Sequence, residues 1–318
     1  MVGEVGLGAM SFASAFGPTT KEASHRALDK AQEVGMTHID TALIYGPFVS
    51  EEIIGEYLQK NPSAKNKFVI ATKGGFRVNP RTIDNSAAYL REALESSLKR
   101  LSVDHVELYY IHRRDQSIPI EDVMGIMLEF QREGKIGGIG FSEISPASLK
   151  RASSIGYVAA VQSEYSLWTR LPELGLLQTC QKLGTSFVAF SPVARGVLSD
   201  VVLDPAQLPN NDFRKNMPRF LEPNYAFNMQ HIEKFKTYAR SYGWTPAALA
   251  NAWVLHQGPH IIPIPGTRTA DHLAENAKAS EIVLTAGHLQ EIETILPIGF
   301  AHGNRYSAEQ QGASELYC

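Results

Sequence analysis

The sequence predicts an α/β fold: a single closed (β/α)8 TIM barrel with two extra helices and a long rim loop. Three observations carry this. Eight short apolar or β-branched runs alternate with longer segments of helical period. Polar residues stand at or just past the ends of successive runs, where barrels of this class gather their active sites. The 318 residues, 44% hydrophobic, can fill one large core, and no Gly/Ser-rich or charge-run linker divides residues 1–318, so they are assigned to one domain.

The first strand is read near 5–7 and leads into a helix over 21–34. The second strand, 37–40, lies in Met36-Thr37-His38-Ile39-Asp40; the third, 67–72, in Phe68-Val69-Ile70-Ala71-Thr72-Lys73; the fourth, 106–111, in Val106-Glu107-Leu108-Tyr109-Tyr110-Ile111-His112. Helices over 50–59, 86–101 and 120–133 follow them in turn. The remaining strands are expected at 136–141, 158–162, 186–190 and 261–264, with helices at 146–154, 172–183, 230–242 and 269–279. Two further helical segments, 246–256 and 287–295, exceed the alternation and are expected outside the regular ring. Residues 193–228 carry Pro, Asn, Gly and single aromatics without periodicity, and a stretch that long in a compact domain reads as a lid over the rim.

The net charge is −3 with both signs interspersed, so nothing argues for nucleic acid or an anionic membrane, and a small-molecule partner is expected. Only Cys180 and Cys318 are present; they suit a reducing compartment and are expected as free thiols. The N-terminus shows no basic segment followed by an apolar core, and no apolar run is long enough to span a bilayer. The expected location is the cytoplasm, and no metal site is predicted.

Asp40, Lys73 and His112 end the second, third and fourth strands, and Tyr45 follows the first of these three in Thr41-Ala42-Leu43-Ile44-Tyr45-Gly46. Tyrosine is a weak acid with a reference pKa of about 10, and a neighbouring ammonium such as Lys73 favours its phenolate and eases proton release. Asp40 would keep that lysine charged, and His112 would hydrogen-bond and orient a carbonyl oxygen. Taken singly, Asp40 also reads as a helix cap, Lys73 as a rim charge, His112 as a strand-end histidine and Tyr45 as a loop aromatic. Together at consecutive strand ends they read as one proton-transfer site. A deprotonated Lys73 would instead be a Schiff-base nucleophile of an aldolase-like barrel, which adjacent Asp40 opposes.

A second cluster, Ile261-Ile262-Pro263-Ile264-Pro265-Gly266-Thr267-Arg268, reads as strand, tight turn and helix start, a setting for anion binding. Arg268 adds a bidentate donor, and His272, Glu275 and Asn276 share its helix face, so a phosphorylated adenosine fits as well as an ordinary capped helix. A third, Phe190-Ser191-Pro192-Val193-Ala194-Arg195-Gly196-Val197-Leu198, ends a strand in a hydroxyl-, Pro- and Gly-rich turn. Ser191 and Arg195 could hold a pyrophosphate there, and Phe190 could stack on a flat ring or belong to the core. Ser142, Glu143 and Gln162 end the fifth and sixth strands and could bond a carboxamide. No Gly-x-Gly-x-x-Gly element opens a helix, which speaks against a Rossmann-type site.

In this order the clusters closely resemble the aldo-keto reductase superfamily, in the branch that includes pyridoxal reductases and plant or microbial reductases of alkaloid and quinone-like carbonyls. The matching segments are Gly6-Leu7-Gly8-Ala9-Met10, Asp40-Thr41-Ala42 with Tyr45-Gly46 and Ser50-Glu51, Thr72-Lys73, His112, Gly140-Phe141-Ser142-Glu143, Gln162 with Glu164-Tyr165-Ser166, Ser191-Pro192 with Arg195-Gly196, and Ile264-Pro265-Gly266-Thr267-Arg268 through Glu275-Asn276. The branch is suggested by Glu164 through Trp168, Asp212-Phe213-Arg214 and Pro218-Arg219-Phe220.

The resemblance implies a barrel that binds NADP(H) across its strand ends and reduces aldehydes or ketones, with Tyr45 as proton donor, Lys73 and Asp40 as its partners and His112 orienting the carbonyl. It implies that Gly8, Ala9 and Met10 border the cofactor, that Ser142 and Gln162 contact the carboxamide, and that Phe190 stacks on nicotinamide. Ser191 through Leu198, including Pro192, Arg195 and Gly196, would form the pyrophosphate loop. Gly266, Thr267, Arg268, His272, Glu275 and Asn276 would take the adenosine phosphate and adenine. Trp168, Phe213 and the tail around Arg305 and Tyr306 are expected as substrate-pocket walls.

Phe190 stands where many members have Tyr, Glu143 where Asn is common, and His272 where Arg is common; the last relaxes an NADPH preference that Arg268 retains. The segment before Gly6 is short, so the usual barrel-floor hairpin is expected to be reduced. The family also includes channel-associated regulatory subunits, which leaves a nicotinamide-binding sensor as the alternative to an enzyme.

Overall fold

The structure is a computed structural model that describes residues 3–210 and 212–317. Its strands are β1 (Leu7–Gly8), β2 (His38–Asp40), β3 (Val69–Gly74), β4 (Phe76–Arg77), β5 (Thr82–Ile83), β6 (Val106–Ile111), β7 (Ile136–Ser142), β8 (Ala160–Glu164), β9 (Ser186–Phe190) and β10 (Ile261–Ile264). Eight of them pair in parallel in the order β1-β2-β3-β6-β7-β8-β9-β10, while β4 and β5 form a separate antiparallel hairpin. The sheet closes through a Gly8–Gly266 bridge and through Gly6 and Gly8 amides donating to Pro263 and Pro265 carbonyls at 2.9 and 3.1 Å.

Both faces of a parallel barrel are covered, so its strands bury alternate residues inward and outward. Ala71, Leu108, Tyr110, Ala160, Val188 and Ile264 form the inner cluster. Their chain neighbours Ile70, Tyr109, Val161, Phe187 and Ala189 join the larger core beneath the helices. The same parity carries Lys73, His112, Gln162 and Phe190 to the inner face, each two residues beyond an inward neighbour, at the C-terminal rim.

The helices are α1 (Lys21–Glu33), α2 (Val49–Lys60), α3 (Ala87–Leu101), α4 (Ile120–Arg132), α5 (Pro146–Ile155), α6 (Leu176–Leu183), α7 (Asn224–Ser241), α8 (Pro246–His256), α9 (Ala270–Ala277), α10 (Ala286–Ile295) and α11 (Ala308–Gln311). Local chemistry starts many of them: Thr20, Ser86, Ser145, Thr245 and Thr269 each accept a backbone N–H of the first turn, and Pro146 and Pro246 occupy first helical positions.

Three expectations are corrected. Residues 246–256 do not lie outside the ring: α8 packs on β10 and α9, and α7 takes the outer position against α8 and α10. Burial explains the exchange, since nearly every residue of α8 is buried, as a helix with neighbours on all sides requires. Second, α7 begins at Asn224 rather than 230, its buried stripe Tyr225, Asn228, Ile232, Phe235 and Ala239 already running at helical spacing, which shortens the rim loop. Third, the 172–183 segment is broken at Gly175, whose φ of 122° ends a 3-10 turn before α6 starts. The β4–β5 hairpin is an addition to the eightfold pattern, between β3 and α3. Before β1, residues 3–6 contain no strand. Cys180 is a buried free thiol on α6, and Cys318 lies outside the described residues. Among the described residues no helix is long and apolar enough to cross a membrane.

Candidate active site

The barrel brings the four strand-end residues together. Lys73 Nζ, fully buried, donates to the Asp40 carboxylate, to the Thr41 carbonyl at 2.8 Å and to the Tyr45 hydroxyl at 3.2 Å. All three ammonium donors are therefore committed. Because the lysine donates to the phenol oxygen, the phenol's own hydrogen is left to point into the cavity. Gln162 Nε2 donates to the second Asp40 oxygen at 2.7 Å, so the side chain expected to bond a carboxamide also fixes the carboxylate.

Tyr45 is delivered by a loop tied from beneath. Thr41 donates to the Ser50 hydroxyl at 2.8 Å, and Ser50 donates to the Ala9 carbonyl at 2.9 Å. Gly46 has φ of 85°, and a Cβ there would meet that of Ala13 at 2.6 Å, so the turn after Tyr45 requires glycine. Buried Glu51 accepts from Thr72 behind the site and is neutralised by Arg100 at 2.7 Å. The His112 ring stands edge-on to Tyr45 at 5.8 Å and to Phe76 at 5.2 Å.

Burial dominates the protonation states. For Lys73 it is the largest influence and opposes charge, yet Asp40 and Tyr45 together outweigh it, so the pKa is raised and the ammonium persists. That counts against a Schiff-base nucleophile, which needs the free amine. For Tyr45 burial is the largest influence and raises the pKa; Lys73 pulls it down in the expected direction, helped by Arg113, but with Asp40 adding to burial the net shift is upward. Tyr45 stays protonated at neutral pH. His112 is held well below its ordinary value by burial, then by Arg113, Lys73 and Arg81, and is a neutral imidazole.

A cavity of about 800 Å³ runs along the strand ends from Tyr45 and His112 to Arg268 and Asn276. Gly8, Met10, Ser142, Gln162 and Phe190 border it near the tetrad, and Ser191, Pro192, Arg195 and Gly196 border its middle. Ser191, Ala194, Arg195 and Gly196 all take left-handed backbone (φ 53°, 48°, 58° and 101°), which curls the chain into the kind of concave amide lining that suits phosphate oxygens. The Arg195 guanidinium is not free for that purpose, being paired with buried Glu164 at 2.6 Å.

At the far end Gly266, Thr267, His272 and Glu275 join Arg268 and Asn276. Arg268 donates to the Phe16 carbonyl and has no carboxylate partner among the described residues. Asn276 accepts from Asn251 at 3.0 Å, which leaves its own amide hydrogens as donors. Phe213 lines the cavity where the shortened rim loop meets the loop after β1, its amide donating to Ala15 at 3.4 Å and its ring edge-on to Phe16. Elongated shape, a concave amide turn and an uncompensated cation at one end fit a phosphorylated dinucleotide.

Several sequence-derived residues lie outside the cavity lining, Lys73 among them, which acts from beneath through Asp40 and Tyr45. Ala9 and Leu198 are fully buried behind it, and Trp168 packs on Phe220 while its carbonyl accepts from Arg219. Glu143 turns away to pair with Arg305 and to accept the Glu164 amide at 2.9 Å. Conversely Phe76, Arg81 and Arg113 line the cavity and were not singled out. The adjacency of Arg113 to His112 was a visible signal; the hairpin carrying Phe76 and Arg81 gave none beyond its turn residues.

The aldo/keto reductase family model matches residues 4–297. The aldo-keto reductase yakc (NADP(+)) of Schizosaccharomyces pombe is 35% identical over 309 residues, covering 95% of this chain and 91% of that protein. Among solved structures, a glycerol dehydrogenase of Gluconobacter oxydans aligns with a TM-score of 0.84 at 27% identity, over 96% of this chain and 94% of that one. An aldo/keto reductase of Klebsiella pneumoniae in complex with NADP and acetate aligns with a TM-score of 0.73 at 25% identity, over 96% and 95%.

Proposed function

The chain belongs to the aldo/keto reductase family, and from that premise we propose that it is an NADP(H)-dependent oxidoreductase that interconverts an aldehyde or ketone with its alcohol, Tyr45 serving as proton donor. The observation that carries this reading is the Lys73 ammonium donating at once to Asp40 and Tyr45 on the rim of the long cavity.

The cofactor, when bound, supplies a hydride to the carbonyl carbon. Ser142 and Gln162 would meet its carboxamide, Phe190 its ring, Ser191 through Gly196 its pyrophosphate, and Arg268 and Asn276 its adenosine end, since these residues and that turn border the one cavity. The substrate oxygen sits between Tyr45 and neutral His112, which donates a hydrogen bond without competing as an acid. As negative charge develops on that oxygen, the Tyr45 hydrogen transfers to it and Lys73 stabilises the phenolate left behind. Alcohol oxidation runs the same path in reverse.

Following nicotinamide absorbance with NADPH and a panel of aromatic aldehydes, quinones and pyridoxal tests the activity. Tyr45→Phe should lower kcat about 100-fold or more while retaining NADPH binding, in keeping with the usual contribution of a general acid. A loss of only about threefold would remove Tyr45 from the proton-transfer role.

A further inference from the structure

We propose that Arg81 and Arg113 select carbonyl substrates that carry a carboxylate or comparable oxyanion, separated from the reacting carbon by an apolar spacer. This rests on the reductase reading and names its substrate class.

Most arginines at this rim are neutralised by carboxylates. Arg77 pairs with Asp84 at 2.7 Å, Arg195 with Glu164 at 2.6 Å, Arg214 with Asp212 at 2.8 Å, and Arg305 with Glu143. Among the described residues Arg81 and Arg113 have no such partner, and both line the cavity beside the tetrad. The hydrogen bonds of Arg113 go to neutral groups, the His112 carbonyl at 2.7 Å and the Ser142 hydroxyl at 3.0 Å, and the one buried carboxylate it acts on, Glu143, is already paired with Arg305. The carboxylates lining the cavity are Asp40, already held by Lys73, and Glu275 at the adenosine end. The substrate end therefore carries uncompensated positive charge, partly withdrawn from water, a setting that draws an anion in with the ligand.

The four groups are successive neighbours. Tyr45 and His112 rings lie 5.8 Å apart, His112 and Phe76 5.2 Å, and the Arg81 guanidinium stands 5.5 Å over the Phe76 ring. Ile44, Ile83 and Tyr306 add apolar wall to the same cavity. A substrate whose carbonyl meets Tyr45 thus lays an apolar spacer along Phe76 and brings its far end to Arg81. That both guanidinium groups lie near the reacting site is supported by their common effect on His112, whose protonated form each disfavours.

The test compares 4-carboxybenzaldehyde with its methyl ester, an aldehyde of similar shape without the charge. At low salt the wild-type protein should show kcat/KM about tenfold higher for the acid, the scale of one charge-assisted hydrogen bond, and the preference should shrink as salt is added. Arg81→Gln should bring the ratio to within about twofold of unity, mainly through KM, whereas Arg81→Lys should keep part of it. Equal or faster turnover of the ester by the wild-type protein, or a ratio unchanged in both Arg81→Gln and Arg113→Gln, would overturn the proposal while leaving the reductase reading intact. If neither these aldehydes nor any carbonyl of the panel above oxidises NADPH, the reductase reading fails instead. Calorimetric binding of 4-(hydroxymethyl)benzoate and its methyl ester to the NADP+-loaded protein then decides the anion site alone: tighter binding of the acid supports it, and equal or weaker binding overturns it.

Discussion

Lys73 organises the site because its three donors meet three different oxygens, one of them on the residue proposed to give up a proton. Sequence position was enough to bring Asp40, Lys73 and His112 into view, since a residue just past an apolar run in a barrel of parallel strands stands at the rim. It was not enough for the sign of the Tyr45 shift, which depends on how completely water is excluded around the phenol. With its pKa raised by burial against the pull of Lys73, Tyr45 keeps its proton throughout the neutral range. Reduction at saturating NADPH should accordingly hold a flat kcat from about pH 6 to about pH 9, and alcohol oxidation, which needs the phenolate, should climb across the same range. A pH–rate profile in which reduction already declines as pH rises between about pH 6 and about pH 9 would show that the ammonium outweighs burial after all.

Single helices illustrate where periodicity informs and where it does not. The stripe on α7 and the capping residues of α1, α3 and α5 are written in the chain, yet periodicity could not tell which of α7 and α8 faces the barrel. That assignment follows from α8 having apolar residues on every side, a consequence of its place between β10, α9 and α7. The α2–α3 contact depends on a position that sequence reading passed over. A Cβ on Gly55 would lie 1.9 Å from the Arg100 carbonyl, a backbone atom of α3 that cannot rotate away. Gly55→Ala should therefore force the helices apart and lower stability by about 2 kcal/mol, despite alanine's better helix propensity. Chemical denaturation measures it, and a variant as stable as the wild type or more so would mean that the pair of helices yields freely.

Across the whole molecule, the tail is fastened to the barrel by ion pairs that join distant parts of the chain. Arg305 pairs with Glu143, Glu315 meets Arg114 at 3.1 Å and the Ser145 amide at 2.9 Å, and between them Tyr306, Gln310 and Ala313 reach the cavity. Burial alone would raise the Glu143 pKa, but Arg305 overrides it and brings it down to about 2. A carboxylate depressed in the folded state stabilises fully above its ordinary value near 4.5, and that contribution fades as pH falls from there towards 2. Thermal unfolding should show Glu143→Gln clearly less stable than the wild type near neutral pH, with the gap narrowing between about pH 4.5 and about pH 2. A gap that stays constant over that window would argue against the ion pair.

By itself the sequence determined the eightfold βα alternation, the strand-end tetrad and the cavity-lining cluster around Arg268, because strand length, helical period and residue type are local properties of the chain. Only the tertiary structure decided that Arg195 and Glu143 spend their charge on Glu164 and Arg305, that Trp168 faces the core, and that Arg81 and Arg113 remain uncompensated beside Tyr45. Charge pairing and burial depend on which distant segments closure of the barrel brings into contact, and no local pattern encodes that.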